Sequence, residues 1–348
     1  MKFRIKSVLT ASLLFALSAA MVYAGGGQQS GGAASSGDRR TPIVIKVSTV
    51  QLPTQQMGIG LKQLEDNIKK ELGDWVDFRG YDSAQLYSGA EELEAVGRGE
   101  VQMVFAIGGA METISNRIQI VKLPWLFPSL ATAYKVLDDG ETGRQIFAPV
   151  DQAGMAVLGL FSSGSATVAN NKRPLRVPAD FRGLKMRAPG KMDTLNINSL
   201  GANAVVTPSE ETYSAVQQGV IDGMSTPSTV FVPRRFYEVQ KYVTNSDNMS
   251  MQIGYLVGNK SWYNGLPAEF RAGLDRAIDA TITQMRRDVE EQDAELYARM
   301  AQEGCEVHNL TDNEKAQWKA ASEAVYVEME RELGADLIAL ARRESSTL

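Results

Sequence analysis

The sequence is short of the residues that most often carry chemistry. Its 348 residues include one cysteine and one histidine. Cys305 has no partner within the chain, which excludes an internal disulfide. His308 lies in a polar stretch beside neither a nucleophile nor a second imidazole, so no Ser-His-Asp set or His-rich metal site can be built around it. The HExxH, GxSxG and Walker A patterns are missing, and Gly58-Ile-Gly60 lacks the third glycine of a dinucleotide fingerprint. Paired acids such as Glu91/Glu92 and Glu290/Glu291 fall where solvated helix faces account for them. These absences argue against an enzyme and leave no cofactor or metal to expect.

Basic charge is scarce as well. The 36 Lys and Arg residues are outnumbered by 41 acids, for a net charge of −5. No basic run interleaved with aromatics interrupts this, which disfavours a nucleic-acid partner. Past the first two dozen residues no apolar run approaches the ~20 residues of a membrane span. Those first residues have their own pattern: Lys2, Arg4 and Lys6, then apolar Val8 to Met21, then Val22-Tyr23-Ala24 with small-residue cleavage spacing. Residues 1–24 are therefore expected to be a secretory signal, and the chain to be exported to the periplasm. Residues 25–40, GGGQQSGGAASSGDRR, contain nothing to build a core and are expected to form a disordered leader.

From Ile43 onward the pattern alternates. Ile43 to Val47 reads as a buried strand, and Met57, Leu61, Leu64, Ile68 and Leu72 make an amphipathic helix closed by Gly73. Trp75 to Phe78, Val101 to Ala106 and Met155 to Phe161 read as further strands. Helices are expected over Glu91 to Val96 and from a Ser129 cap to Gly140. Strands alternating with helices across short connections point to parallel βαβ units. After Ser162 the order repeats, with strands at Phe181 to Ala188, Val205 to Thr207 and Ile221 to Met224. Helices at Met192 to Leu200 and Ser209 to Gln218 separate them. Glu91 to Val101 aligns without a gap on Glu211 to Ile221, matching the acid, Ala-Val, a terminating glycine and a β-branched residue. Two similar α/β halves follow. Between Ala268 and Gln302 nothing stops a helix about 52 Å long, too long for one half, so that it either breaks or lies across both. Thr311 and Glu314 form a capping box that opens a last helix.

One cation stands out. Arg187 leaves a strand just before Pro189-Gly190, and an arginine there can aim a rigid fork of donors at a carboxylate. Trp125 and Phe127, around Pro124, read first as core, with a pocket-lining role left open by the glycine-rich strand end beside them.

Several segments, in order, resemble one family: Leu123 to Phe127 (LPWLF), Gly183 to Arg187 (GLKMR), Leu200 to Ala202 (LGA), Tyr213 to Gly223 (YSAVQQGVIDG) and Phe236 to Tyr242 (FYEVQKY). They are similar to the periplasmic solute-binding subunits of TRAP transporters, the DctP type, over nearly all of residues 43–330. The resemblance implies an α/β fold of two lobes with a central ligand cleft and a long helix spanning both. It implies lobes of 41–163 plus about 254–293, and 164–253 plus about 294–348. Function would then be capture of a small carboxylate solute and its delivery to membrane permease subunits. A TPR-containing periplasmic protein is a further candidate partner, and a sensory protein presenting its ligand to a signalling receptor is the alternative.

The same resemblance gives Arg187 the ligand's carboxylate and places Gln51 and Trp125 near it. Other family contacts are changed here: Thr226 stands for an asparagine, Thr167 for a second arginine, Ile107 for a glutamate and Ser209 for an aromatic. With charged anchors lost, the expected ligand is a monocarboxylate with a relatively apolar body, because an unpaired buried carboxylate is costly.

Overall fold

The computed structural model describes residues 41–208 and 211–347. The expected signal and leader, together with Ser209, lie outside the described residues. The first strand β1 (Ile43–Ser48) is followed by α1 (Gln56–Leu72), β2 (Val76–Tyr81), α2 (Gly89–Arg98), β3 (Met103–Ile107) and a single turn, α3 (Gly108–Met111). Then come α4 (Leu130–Asp138), α5 (Glu141–Gln152) and β4 (Met155–Ser162). Ser129 caps α4 as expected, its side chain accepting from Thr132 N. Helix α5 escapes the periodicity because Gly143 and Pro149 interrupt it.

The chain continues through β5 (Ala166–Asn170), β6 (Lys185–Ala188), α6 (Lys191–Ser199), β7 (Asn203–Val206), α7 (Thr212–Gln217) and β8 (Gly223–Pro227). It goes on through α8 (Ser228–Phe231), β9 (Tyr242–Asn245), β10 (Ile253–Asn259), α9 (Lys260–Asn264) and α10 (Ala268–Gln302). It ends with β11 (Glu306–Asn309), α11 (Asp312–Leu333) and α12 (Ala335–Ser346).

The strands form two sheets, ordered β2-β1-β3-β10-β4 and β11-β9-β5-β8-β6-β7. The βαβ units are parallel: β1 with β2 and β3, and β6 with β7 and β8. Both sheets are nonetheless mixed, because β10 lies antiparallel between β3 and β4, and β5 lies antiparallel between β8 and β9. The chain therefore crosses between lobes after β4 and again after β9. The aligned helix-glycine-strand segments do take matching conformations, with Gly99 at φ 78° and Gly219 at φ 71° closing α2 and α7.

Helix α10 runs from Ala268 to Gln302 without a break. Phe270, Leu274, Ile278, Ile282 and Met285 enter the first lobe's core with Ile45 and Leu64, whereas Tyr297 and Met300 enter the second's with Phe231 and Val243. One helix thus belongs to both lobes. Gly159 lets it approach β4, since a Cβ there would stand 2.5 Å from Ile282 Cγ1.

The C-terminal segment differs from the expected boundary. Strand β11 and Trp318 join the second lobe, but Val325, Met329, Leu337, Ile338 and Ala341 are buried with Val136 and Ile146 of the first. Its last turn also supplies a cap: the Glu344 carboxylate accepts from Glu141 N and Thr142 N, 2.9 and 3.1 Å away, at an α5 N-terminus whose own capping residue is Gly140. Among the described residues no helix is long and apolar enough to cross a membrane.

Candidate functional site

A cavity of about 150 Å³ lies between the two sheets. Gln51, Met57, Ile107 and Lys122 line it from the first lobe, Arg187, Pro189, Thr226 and Val230 from the second, and Ser163, Gln252 and Ile253 from the crossing segments. Four of the residues singled out from sequence, Gln51, Ile107, Arg187 and Thr226, are brought together here.

Arg187 is the penultimate residue of β6, at the C-terminal edge of a parallel ladder, where Pro189 forbids further pairing. Only 5% of it is exposed. Its Nε donates to Thr207 O and its Nη1 to Ser225 O, each at 3.1 Å. These carbonyls come from the segment after β7 and from β8, so both neighbouring strands fix the plane of the guanidinium. Thr226 is the next residue of β8 and is buried. Gln51, in the loop between β1 and α1, is held by that helix, its Oε1 accepting from Met57 N in the first turn of α1. Ile107, the last residue of β3, is 37% exposed at the cavity mouth.

Two expected residues sit elsewhere. Thr167 faces Thr226 across the β5–β8 ladder, but it is fully buried and its hydroxyl lies 2.8 Å from Tyr297 Oη on α10. The long helix takes up the group that the family resemblance had offered to the ligand. Trp125 has a left-handed backbone, φ 51°, with its N–H donated to Met249 O, and its ring packs against the second lobe's core. It lines a separate cavity of about 350 Å³ formed with Lys319, Tyr326 and Arg342, where Lys319 Nζ stands 5.8 Å from the ring centroid. His308 is in β11, its Nε2 2.9 Å from a Glu314 carboxylate oxygen.

Lys122 was not expected. Its ammonium is 2.8 Å from Asp193 Oδ2 and 3.4 Å from Glu112 Oε1. Burial pushes its pKa down, but the two carboxylates outweigh burial and raise it, so the group is charged. Burial raises the Glu112 pKa, Lys122 opposing and Asp193 reinforcing the shift. The signal for Lys122 was a lone cation in the apolar run IQIVKLPWLF, which requires buried partners. Chemically, the site offers a fixed guanidinium, a paired ammonium, two amides and two hydroxyls among apolar walls. It holds no nucleophile set beside a base.

Residues 47–332 match the model of the family described as bacterial extracellular solute-binding protein, family 7. The chain is 33% identical over 301 residues to the C4-dicarboxylate-binding periplasmic protein DctP of Rhodobacter capsulatus, covering 86% of this chain and 90% of that protein. A TRAP periplasmic solute binding protein from Sulfurospirillum deleyianum, solved with bound succinate, superposes with a TM-score of 0.76 at 28% identity, over 86% of this chain and 98% of its own. Another, from Ralstonia eutropha with bound (S)-2-acetolactate, gives a TM-score of 0.78 at 26% identity, over 88% and 99%.

Proposed function

We propose, for a chain that belongs to the DctP family of bacterial extracellular solute-binding proteins, that Arg187 holds the carboxylate of a small organic acid in the cleft. The protein is the substrate-binding receptor of a TRAP-type transporter: it captures its solute between two lobes and delivers it to the membrane permease. The observation that carries the role of Arg187 is its fixation by Thr207 O and Ser225 O on the wall of the interlobe cavity. A guanidinium oriented in advance loses little freedom on binding, and a charge-assisted pair in a site closed to water is strong.

The ligand is read as a monocarboxylate with a relatively apolar body. Supporting this, Met57, Ile107, Pro189, Val230 and Ile253 give the cavity apolar walls, and the second cation, Lys122, already faces two carboxylates. Export to the periplasm through the segment 1–24 belongs to the same reading, as does division of the chain from residue 41 onward into two lobes that close about the cleft. Native mass spectrometry of the purified protein, followed by denaturation and identification of the released molecule, tests it. A released monocarboxylate supports the reading, and a released sugar or cation with no carboxylate refutes it.

A further inference from the structure

Lys122 lines the cleft while the acids that hold it do not. Its side chain is 11% exposed, and its Cε lies 3.8 Å from the point where a Gly108 Cβ would stand, beside the cavity wall. Asp193, from the first turn of α6, and Glu112, at the end of α3, contact the ammonium without lining the cavity. An ammonium has three N–H bonds, and these contacts account for two. One remains for whatever occupies the cleft.

The charges decide what that occupant can be. One positive group between two carboxylates is more than neutralised, so a second ligand carboxylate brought to Lys122 would also be brought to Glu112 and Asp193. Like charges at such separations repel strongly in a site of low dielectric. An uncharged acceptor meets no such cost and still gains a bond from a charged donor. We propose that Lys122 is a specificity-determining residue that donates its remaining proton to a keto or hydroxyl oxygen of the solute, while Glu112 and Asp193 exclude a second carboxylate. The solute class is thus an oxo or hydroxy monocarboxylic acid. The inference rests on Arg187 as the carboxylate anchor.

The test is calorimetry with four five-carbon probes: 2-oxopentanoate, 4-oxopentanoate, pentanoate and pentanedioate. The wild type should bind one of the oxo acids at least tenfold more tightly than pentanoate or pentanedioate. Lys122→Met should cost that oxo acid about 10- to 100-fold and leave pentanoate nearly unchanged. Because Lys122→Met leaves two buried acids together and could fail to fold, Glu112→Gln is the second variant. It keeps the Lys122–Asp193 pair and should raise the affinity for pentanedioate relative to the oxo acid about tenfold. Arg187→Ala should weaken all four, and its failure to do so would sink the anchor reading rather than the selectivity. A wild type that prefers pentanedioate or binds none of the probes overturns the proposal. So does a folded Glu112→Gln protein with an unchanged preference.

Discussion

Glu92 should make the stability of this protein fall as the pH rises from about 4.5 to about 7. Although the sequence reads it as part of a solvated helix face, the residue is 1% exposed, turned into the core beside β1, with Ser48 Oγ donating to its Oε1 at 2.5 Å. Burial raises its pKa from 4.5 to about 7, against the opposing effect of the Ser48 hydroxyl. Between these values the folded state keeps a proton that the unfolded state has released. Stability contributed by the neutral acid is therefore present below about pH 4.5 and is lost on the way to pH 7 and above. At about 1.4 kcal/mol per unit, a shift of this size corresponds to roughly 3 kcal/mol. Glu92→Gln places a neutral group of the same shape there, and the Ser48 oxygen can accept from its amide. The variant should match the wild type near pH 4.5 and exceed it at pH 8 by about 2 to 3 kcal/mol, a rise in thermal midpoint of about 4 to 10 °C. Differential scanning calorimetry of both proteins from pH 4.5 to 8 measures this. Curves that run parallel across the range would refute the reasoning.

Four other substitutions probe how the lobes are held. Glu344→Ala removes the carboxylate that accepts from two N–H groups at the start of α5, and should lower the unfolding free energy by about 1 to 2 kcal/mol in urea titrations. Gly159→Ala drives a methyl against Ile282 and should cost about 1 to 3 kcal/mol. Adding Ile282→Ala should cost less than the sum of the two single changes. Thr167→Val removes the hydroxyl bonded to Tyr297 and should lower stability by about 1 kcal/mol while leaving ligand affinity unchanged, as calorimetry would show.

The parts of the fold legible in the sequence are those fixed by local pattern. The apolar stripe from Phe270 to Met300, uninterrupted by proline, predicted α10 from end to end; its excess length left either a break or a helix lying across both lobes, and the unbroken helix packs into both cores. The matched glycines Gly99 and Gly219 marked equivalent turns because each takes a left-handed backbone that side chains avoid. Strand β10 was not legible. Its Gly254 and Gly258 look like turn residues in IGYLVGN, yet a Cβ at 254 would stand 2.3 Å from Phe161 and one at 258 would stand 2.6 Å from Leu158. They are packing glycines of a central strand. The helix α12 reached the first lobe through contacts with α4 and α5, about 200 residues earlier in the chain, which no local signal announces.

The site divides along the same line. Arg187 was legible because a strand end, a proline and a donor fork coincide within three residues. Lys122 was not, because its partners Glu112 and Asp193 are brought to it by two different lobes. Thr167 was misplaced for a related reason. The ladder does set it opposite Thr226, but Tyr297 of α10 claims its hydroxyl. Trp125 was drawn to the other core by a backbone turn that a residue with a side chain seldom adopts.

The most direct test of the carboxylate anchor is the affinity of Arg187→Ala and Arg187→Lys for the solute released from the purified protein. Alanine should weaken binding by roughly 30- to several-thousand-fold, the equivalent of about 2 to 5 kcal/mol, while the unliganded protein stays folded. Lysine should recover part of the loss, since an ammonium restores the charge but not the planar fork. An unchanged dissociation constant in the alanine variant would contradict the account. So would a collapsed thermal midpoint, which would make the bonds of Arg187 to Thr207 O and Ser225 O its whole purpose.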